Sequence, residues 1–435
     1  MSWWNSLRAS LFGQSASVGD PNGWLIRAVN GGRTHAGTSV SEFNAMKLPV
    51  VYACINRIAN PIARFPLRIL RPKDGGGVEE VLDHPLSRRL STRPNDLMSS
   101  RTLRKAVQSH ALSWGNGYAE IERNGRGQAV NLWPLLPWNT QPVRQEDQFF
   151  YRTRIDGRSF ELPHDDVLHI MDMSQDGYVG LSPVFLAREA LGMALALEQF
   201  GAKFFANDMK SGGFLMHPGK LSATAQGNLG KPKEQRTDPG ANLERQGGLD
   251  NAHRVKVLEE GMKFIQTTIP PEDAQFLSTR DFQIAEIARM YDVPLILLQS
   301  HEKTTSWGTG IEQLMIGFVQ QTIDPWVGAW EQEMNWKLFT EEERKLGYFV
   351  KFNMNALLRG DMVTRSKFYR EMFSVGAYSP NMILGLEDED PIGPDGDHHF
   401  VPTNYGTIAN AVANVGRTVS SADPNRESGD GGPRE

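Results

Sequence analysis

The chain of 435 residues holds a single cysteine, Cys54, and a formal net charge of only −5. One thiol closes no intramolecular disulfide, so packing must hold the fold, as in chains built for a reducing compartment. Cys54 lies in the apolar-periodic stretch VVYACINRIANPIARF and reads as a small buried hydrophobe. The slight acidic excess excludes a wholesale electrostatic grip on nucleic acid or anionic membrane, which usually takes a basic surplus. It does not exclude a protein that touches DNA and lets it slide. Long hydrophobic runs are also missing: the most apolar stretch, 184–205, is interrupted by Arg188, Glu189, Glu198 and Lys203. That is too broken to span a bilayer, so no membrane partner is expected. The N-terminal MSWWNSLRASLFGQ lacks the apolar core of a signal peptide.

Catalytic signatures are equally scarce. A phosphate-binding loop needs its glycines before a Lys-Ser/Thr pair, directly after a strand, so that backbone amides wrap the phosphates. In LQSHEKTTSWGTGIEQ, residues 298–313, Lys303 and Thr304 come first and Gly308 and Gly310 follow. GNLGKPK, residues 227–233, has neither the spacing nor a hydroxyl after Lys231. In GLSPV, Val184 stands where a nucleophile elbow needs its second glycine, so Ser182 reads as a helix cap before Pro183. HDDVLH offers His164, Asp165, Asp166 and His169, which strand alternation would split into Asp165 with His169 and His164 with Asp166. No second ligand cluster accompanies them, and the acidic stretch 386–400 lacks calcium-loop spacing. No cofactor, no metal and no enzymatic activity are therefore expected. A metal- or nucleotide-dependent hydrolase built on HDDVLH or Lys303 is the competing reading.

What is present is the pattern of an α+β protein. Helical periodicity covers about 48–62 and 103–113, with short strands between and after. Asn124-Gly125 and Asp156-Gly157 mark hairpin turns, and DDVLHIMDM reads as a buried strand. Residues 183–207 form the longest apolar helix candidate, apolar nearly all round and so buried on several sides. A polar, glycine-rich insertion precedes a second helix at about 271–289, whose first turn carries prolines and acids. After the quoted stretch a long helix begins, which Pro325 should kink or restart. A short strand at YFVKF, helices near 364–373 and 379–384, and a Gly/Ser/Asn-rich tail complete the chain.

The order of these pieces resembles the portal proteins of tailed bacteriophages, in the short variety of long-tailed phages. The residues that carry the resemblance run from MKLPVVYACINRIANPIARFPLRIL (46–70), HPLSRRLSTRPND (84–96) and SWGNGYAEIERNGRGQAVNLWPLLP (113–137). They continue through DDVLHI, GYVGLSPVFLAREALGMALALEQFGAKFFAND (177–208) and VLEEGMKF (257–264) to FQIAEIARMYDVPLILL, SWGTGIEQ and FSVGAYSPNMILGLEDEDP. The resemblance implies a portal fold. It places a flexible arm at 1–39, an α+β wing at 40–180, a first stem helix at 181–210 and a clip at 211–270. A second stem helix follows at 271–293, a tunnel loop at 294–310, a long kinked helix at 311–345, a wing strand with crown-like helices at 346–400 and a disordered tail at 401–435.

It further implies a ring, usually of twelve copies, at one capsid vertex, acting as the channel for packaging and ejecting double-stranded DNA. The implied partners are a large terminase, a head–tail adaptor, and the major capsid and scaffold proteins. The implied location is the virion, after assembly in the host cytoplasm. On this resemblance His301, Glu302, Lys303, Thr304, Thr305, Ser306 and Trp307 would face the DNA. Phe185, Leu191, Leu195, Phe200, Phe204, Phe276, Ile284 and Ile287 would pack the stem, and Lys231, Lys233, Arg245 and Arg254 would meet partners at the clip. The clip segment lacks the tryptophan expected after its short helix. Another ring component of the phage neck or head is a third reading.

Overall fold

The computed structural model describes residues 34–145, 148–206, 213–216, 263–266, 273–298, 309–354, 362–387 and 389–400. It divides into two units, 1–354 and 355–435.

In the first unit a short helix α1 (Glu42–Ala45), closed by a Ser41/Asn44 capping box, leads to α2 (Pro49–Arg64). The apolar residues of α2 recur at helical spacing, and Val51, Cys54, Ile55, Ile58 and Ile62 are all buried. Its C-terminal carbonyls are met from another helix: Arg104 donates from Nη1 to Phe65 O at 2.7 Å. Burial lowers the Arg104 guanidinium to about 10, and its ring-stacking on Phe352 completes the site. Arg104 belongs to α4 (Ser100–Trp114); between α2 and α4 lie β1 (Leu67–Pro72), β2 (Val78–Glu80) and α3 (Pro85–Ser91).

Two antiparallel sheets follow from the hairpin signals. Strands β3 (Asn116–Arg123) and β4 (Ala129–Leu135) pair around the Asn124 turn, where Asn124 Oδ1 accepts the amides of Arg126 and Gln128. β5 (Thr140–Gln145), β6 (Gln148–Ile155) and β7 (Arg158–Pro163) make a meander. Its second turn has Asp156 and Gly157 both at positive φ, 48° and 76°, the two-residue turn that Asp-Gly favours. β8 (Val167–Met171) adds to β3, giving the order β4-β3-β8. β8 is buried throughout most of its length, but His164–Asp166 form a 3-10 turn before it. The expected alternation across HDDVLH therefore fails: only His169 lies in the strand, and no cluster able to hold a metal occurs among the described residues.

The apolar helix expected at 183–207 is broken. Ser182 caps α5 (Pro183–Leu186) by accepting Phe185 N–H, as the sequence suggests, but Ala187 leaves helical geometry and α6 (Arg188–Ala206) restarts. The Ser-Pro cap organises only one turn, and neither proline nor glycine at 187 announces the break. Residues 34–38, within the expected arm, lie on α6: Thr38 donates to Gly192 O at 2.8 Å, and His35 meets Glu189.

β9 (Gly213–Met216) and β10 (Lys263–Gln266) pair antiparallel, bringing together the two ends of the inserted segment. α7 (Asp273–Met290) returns along α6. Next come α8 (Thr309–Phe318), a π-helical turn (Val319–Ile323) and α9 (Asp324–Lys337). Proline in an α-helix lacks an amide and crowds the carbonyl four residues back. Here Pro325 falls in the first turn of a new segment, as its position predicts, with the π turn absorbing the discontinuity.

α9 closes two sheet edges at once. Asn335 brackets Val350 of β11 (Phe349–Phe352), accepting its N–H at 2.6 Å and donating to its carbonyl, while Glu331 accepts Phe352 N–H. Two residues further round the helix, Lys337 donates to Val167 O and Glu333 accepts His169 N–H on β8. The pairs 331/335 and 333/337 are each spaced by four, and the two-residue offset puts them on opposing faces. Strand backbones that would lie unpaired at an edge are satisfied by helix side chains. After α9, α10 (Glu341–Lys345) starts on a Thr340/Glu343 capping box.

In the second unit α11 (Met362–Ser374) and α12 (Pro380–Leu386), capped by Ser379, are joined by Arg365 and Tyr369, which both meet Glu387. No described helix in either unit is long and apolar enough to cross a membrane.

Candidate functional site

The tunnel-loop candidates His301 to Trp307 and the clip candidates Lys231, Lys233, Arg245 and Arg254 lie outside the described residues. What is described is the frame on which segment 299–308 is mounted.

One side of the frame is the end of α7. Ile287, Ala288, Tyr291 and Val293 are buried, and Asp292 takes φ +52°, a left-handed turn that Asp tolerates better than most side chains. Val293 N–H returns to Ala288 O, ending the helix, and a 3-10 turn (Leu295–Leu298) leads out. The other side is the π turn. Its buried Thr322 donates Oγ1–H to Asp292 O at 2.8 Å and lies 3.1 Å from Asp292 Oδ2. Both limbs of the segment thus meet at one hydrogen-bonded point.

The base of α5 and α6 is fixed as firmly. Asn116, the first residue of β3, accepts Gly180 N–H at Oδ1 and donates from Nδ2 to Gly180 O, both at 2.8 Å. Backbones approach so closely that a Cβ on Gly115 would strike the Leu181 carbonyl, and one on Gly180 would strike Gly115. Because Asn116 Oδ1 can only accept, His169 must donate to it from Nε2, at 2.9 Å. His169 Nδ1 is then free to accept Tyr151 Oη–H at 3.2 Å. Burial, with Lys337 and His164 nearby, lowers His169 to about 3, so the ring stays neutral. Asn116 and His169 thus connect the sheet to the start of the helix pair, and α9 grips the same strand.

Between these anchors lies a cleft of about 360 Å³, lined by residues of α2, α4, β8, α5, the end of α7, the π turn and α9.

Of the stem candidates, Leu191, Leu195 and Ile287 are buried, Ile284 is half-buried, and Phe185 and Phe200 are exposed at 58% and 47%. The side chains of Phe204 and Phe276 are outside the described set. Sequence reasoning missed Asn116, His169, Asp292 and Thr322 as frame residues. The available signal was Thr322, at an apolar position of the helical pattern three residues before Pro325.

A sequence model described as phage portal protein matches residues 49–388. The portal protein of Enterobacteria phage HK97 is 29% identical over 415 residues, 95% of each chain. A probable portal protein of Streptomyces phage phiC31 is 32% identical over 407 residues, 89% of this chain and 84% of that one. Among solved structures, the neck of a native gene transfer agent particle computed with C12 symmetry gives a TM-score of 0.52 at 21% identity. That match covers 88% of this chain and 98% of the other. The crystal structure of an HK97-family portal protein from Corynebacterium diphtheriae gives 0.53 at 17% identity, over 74% and 98%. At such identities the solved structures establish the fold. With the family match running from α2 to the end of α12, the chain belongs to the phage portal protein family.

Proposed function

We propose that copies of this chain assemble into a ring, of twelve subunits by the symmetry of the neck relative, around a channel for double-stranded DNA at one capsid vertex. Segment 299–308 is the loop each copy presents to the channel. The observation that carries this is the Asp292–Thr322 junction, which holds both limbs of that segment on a packed frame. A moving duplex must meet neither a base-reading pocket nor a tight phosphate clamp. Duplex DNA carries roughly one charge per 1.7 Å, so a dense basic ring would hold it back. Lys303 offset by Glu302, among hydroxyl side chains, suits sliding.

The part is structural: the energy of packaging comes from a terminase docked at the clip, whose place a head–tail adaptor later takes. Capsid and scaffold proteins surround the ring as it assembles in the host cytoplasm. Exposed apolar residues on the helix pair, Phe185, Met193, Phe200 and Phe282, support contact with neighbouring copies.

Size-exclusion chromatography with light scattering, followed by counting subunits in electron micrographs, tests this. A ring with a central hole is expected. A stable monomer, or one with hydrolase activity, would overturn it.

A further inference from the structure

The cleft between the frame's anchors has a chemistry that the single chain leaves incomplete. Tyr291 lines it, is 5% exposed, and keeps its Oη buried without a hydrogen-bond partner among the described residues. A buried hydroxyl left unpaired costs free energy, so its persistence asks for an occupant. Asp172 lines the same cleft, accepts only its neighbour Met173 N–H, and makes no ion pair among the described residues. Burial holds its carboxyl above the ordinary carboxylate range, the behaviour of an acid with no compensating cation. Asp292 adds a second carboxylate, and among the described residues no Lys, Arg or His lines the cleft.

Apart from Gln321 and Thr322, the walls around these groups are apolar. Met173 is 69% exposed, and beyond Pro183 the side chains of Phe185 and Leu186 are exposed as well. An exposed apolar surface continuous with an acidic cleft fits a protein surface with a protruding base better than a free ion.

We propose that the cleft is a socket for a basic side chain of a second copy of this chain, its charged head between Asp172 and Tyr291 Oη and its aliphatic stem along Met173. This rests on the ring reading above and deepens it. A neighbour's cation would return Asp172 to its charged form and give Tyr291 an N–H to accept. Asp292 and Thr322 also line the cleft, so each subunit would then bear on the next one's loop junction.

The test uses the full chain. Tyr291→Phe and Asp172→Asn each remove a group that the isolated chain leaves uncompensated. Both should therefore melt at or above the wild-type temperature as monomers, yet need about tenfold higher concentration to half-assemble by mass photometry. A purely structural role predicts the opposite, a lower melting temperature with unchanged assembly. A reconstruction of the wild-type ring should show a Lys or Arg of the neighbouring copy within hydrogen-bond distance of Asp172. A cleft filled by solvent or by a non-basic side chain, or variants that assemble like wild type, overturns the socket and leaves the ring reading standing. A wild-type chain that stays monomeric at every concentration overturns both.

Discussion

Thr322 gives its hydroxyl hydrogen to the main-chain carbonyl of Asp292, thirty residues earlier, and so ties the π turn to the end of α7. The bond matters because Asp292 sits at positive φ, and the chain on either side leads to segment 299–308. Thr322→Val keeps the shape and removes the donor. A loss of about 1 kcal/mol in unfolding free energy is expected, since Asp292 is exposed and its carbonyl can turn to water. Thr322→Ser should keep most of it. Denaturant midpoints of the three chains decide; a Val variant as stable as wild type removes the junction from the account.

Asn335 is expected to be a costlier site. Its amide brackets the fully buried Val350, which has no water to turn to. Asn335→Leu strands both Val350 groups, for a loss of roughly 2–3 kcal/mol. Chemical denaturation checks this, and a loss below about 0.5 kcal/mol would mean that β11 pairs elsewhere.

How far the sequence foretold these features differs from element to element. Local chemistry was legible: the Asp156-Gly157 turn, the Ser182 cap, the restart at Pro325 and the apolar stripe through Cys54 and Ile58 each follow from neighbours in the chain. Relations between distant side chains were not. Glu331, Glu333, Asn335 and Lys337 read as an ordinary polar helix surface, because nothing local reveals that strand edges lie on both sides. HDDVLH invited alternation, but the 3-10 turn at His164–Asp166 removes three of its residues from the strand. The break at Ala187 has no local cause at all. The frame was foreseen as an order of elements, and its fastening was visible only in three dimensions.

Glu120 should leave a signature in the pH dependence. Its carboxyl is buried on β3, where desolvation and then the nearby Glu122 and Asp166 carboxylates raise it to about 8. The folded chain therefore holds a proton that the unfolded chain has released, from about pH 4.5 to about 8, and stability falls across that window. His169 and His110, lowered by burial to about 3 and about 4, act oppositely: they stay neutral where the unfolded chain takes up protons, so stability rises toward pH 6.5. Below pH 6.5 the effects oppose one another; between about 6.5 and 8 that of Glu120 stands alone among the three. Glu120→Gln should flatten the fall in stability over that upper range. Midpoints at pH 6.5, 7.2 and 8 measure it, and parallel curves for the two chains would show that Glu120 is charged when folded.

Replacing Glu302 and Lys303 together with Ala leaves the formal charge of segment 299–308 unchanged and removes both charged groups. Under the proposed ring, assembly should be intact, because neither side chain belongs to the helices α6 and α7, while packaging or retention of DNA should change. The single variants separate charge from shape. Glu302→Ala leaves each copy one positive charge richer, and a ring repeats that charge around the duplex, so packaging should slow most at low salt and recover as salt screens the phosphates. Lys303→Ala adds repulsion instead and should weaken retention without slowing passage. Packaged DNA length and leakage, measured at two ionic strengths in particles built on each variant, distinguish these cases. Normal packaging and retention by all three would count against a channel-facing segment, whatever the ring's stability.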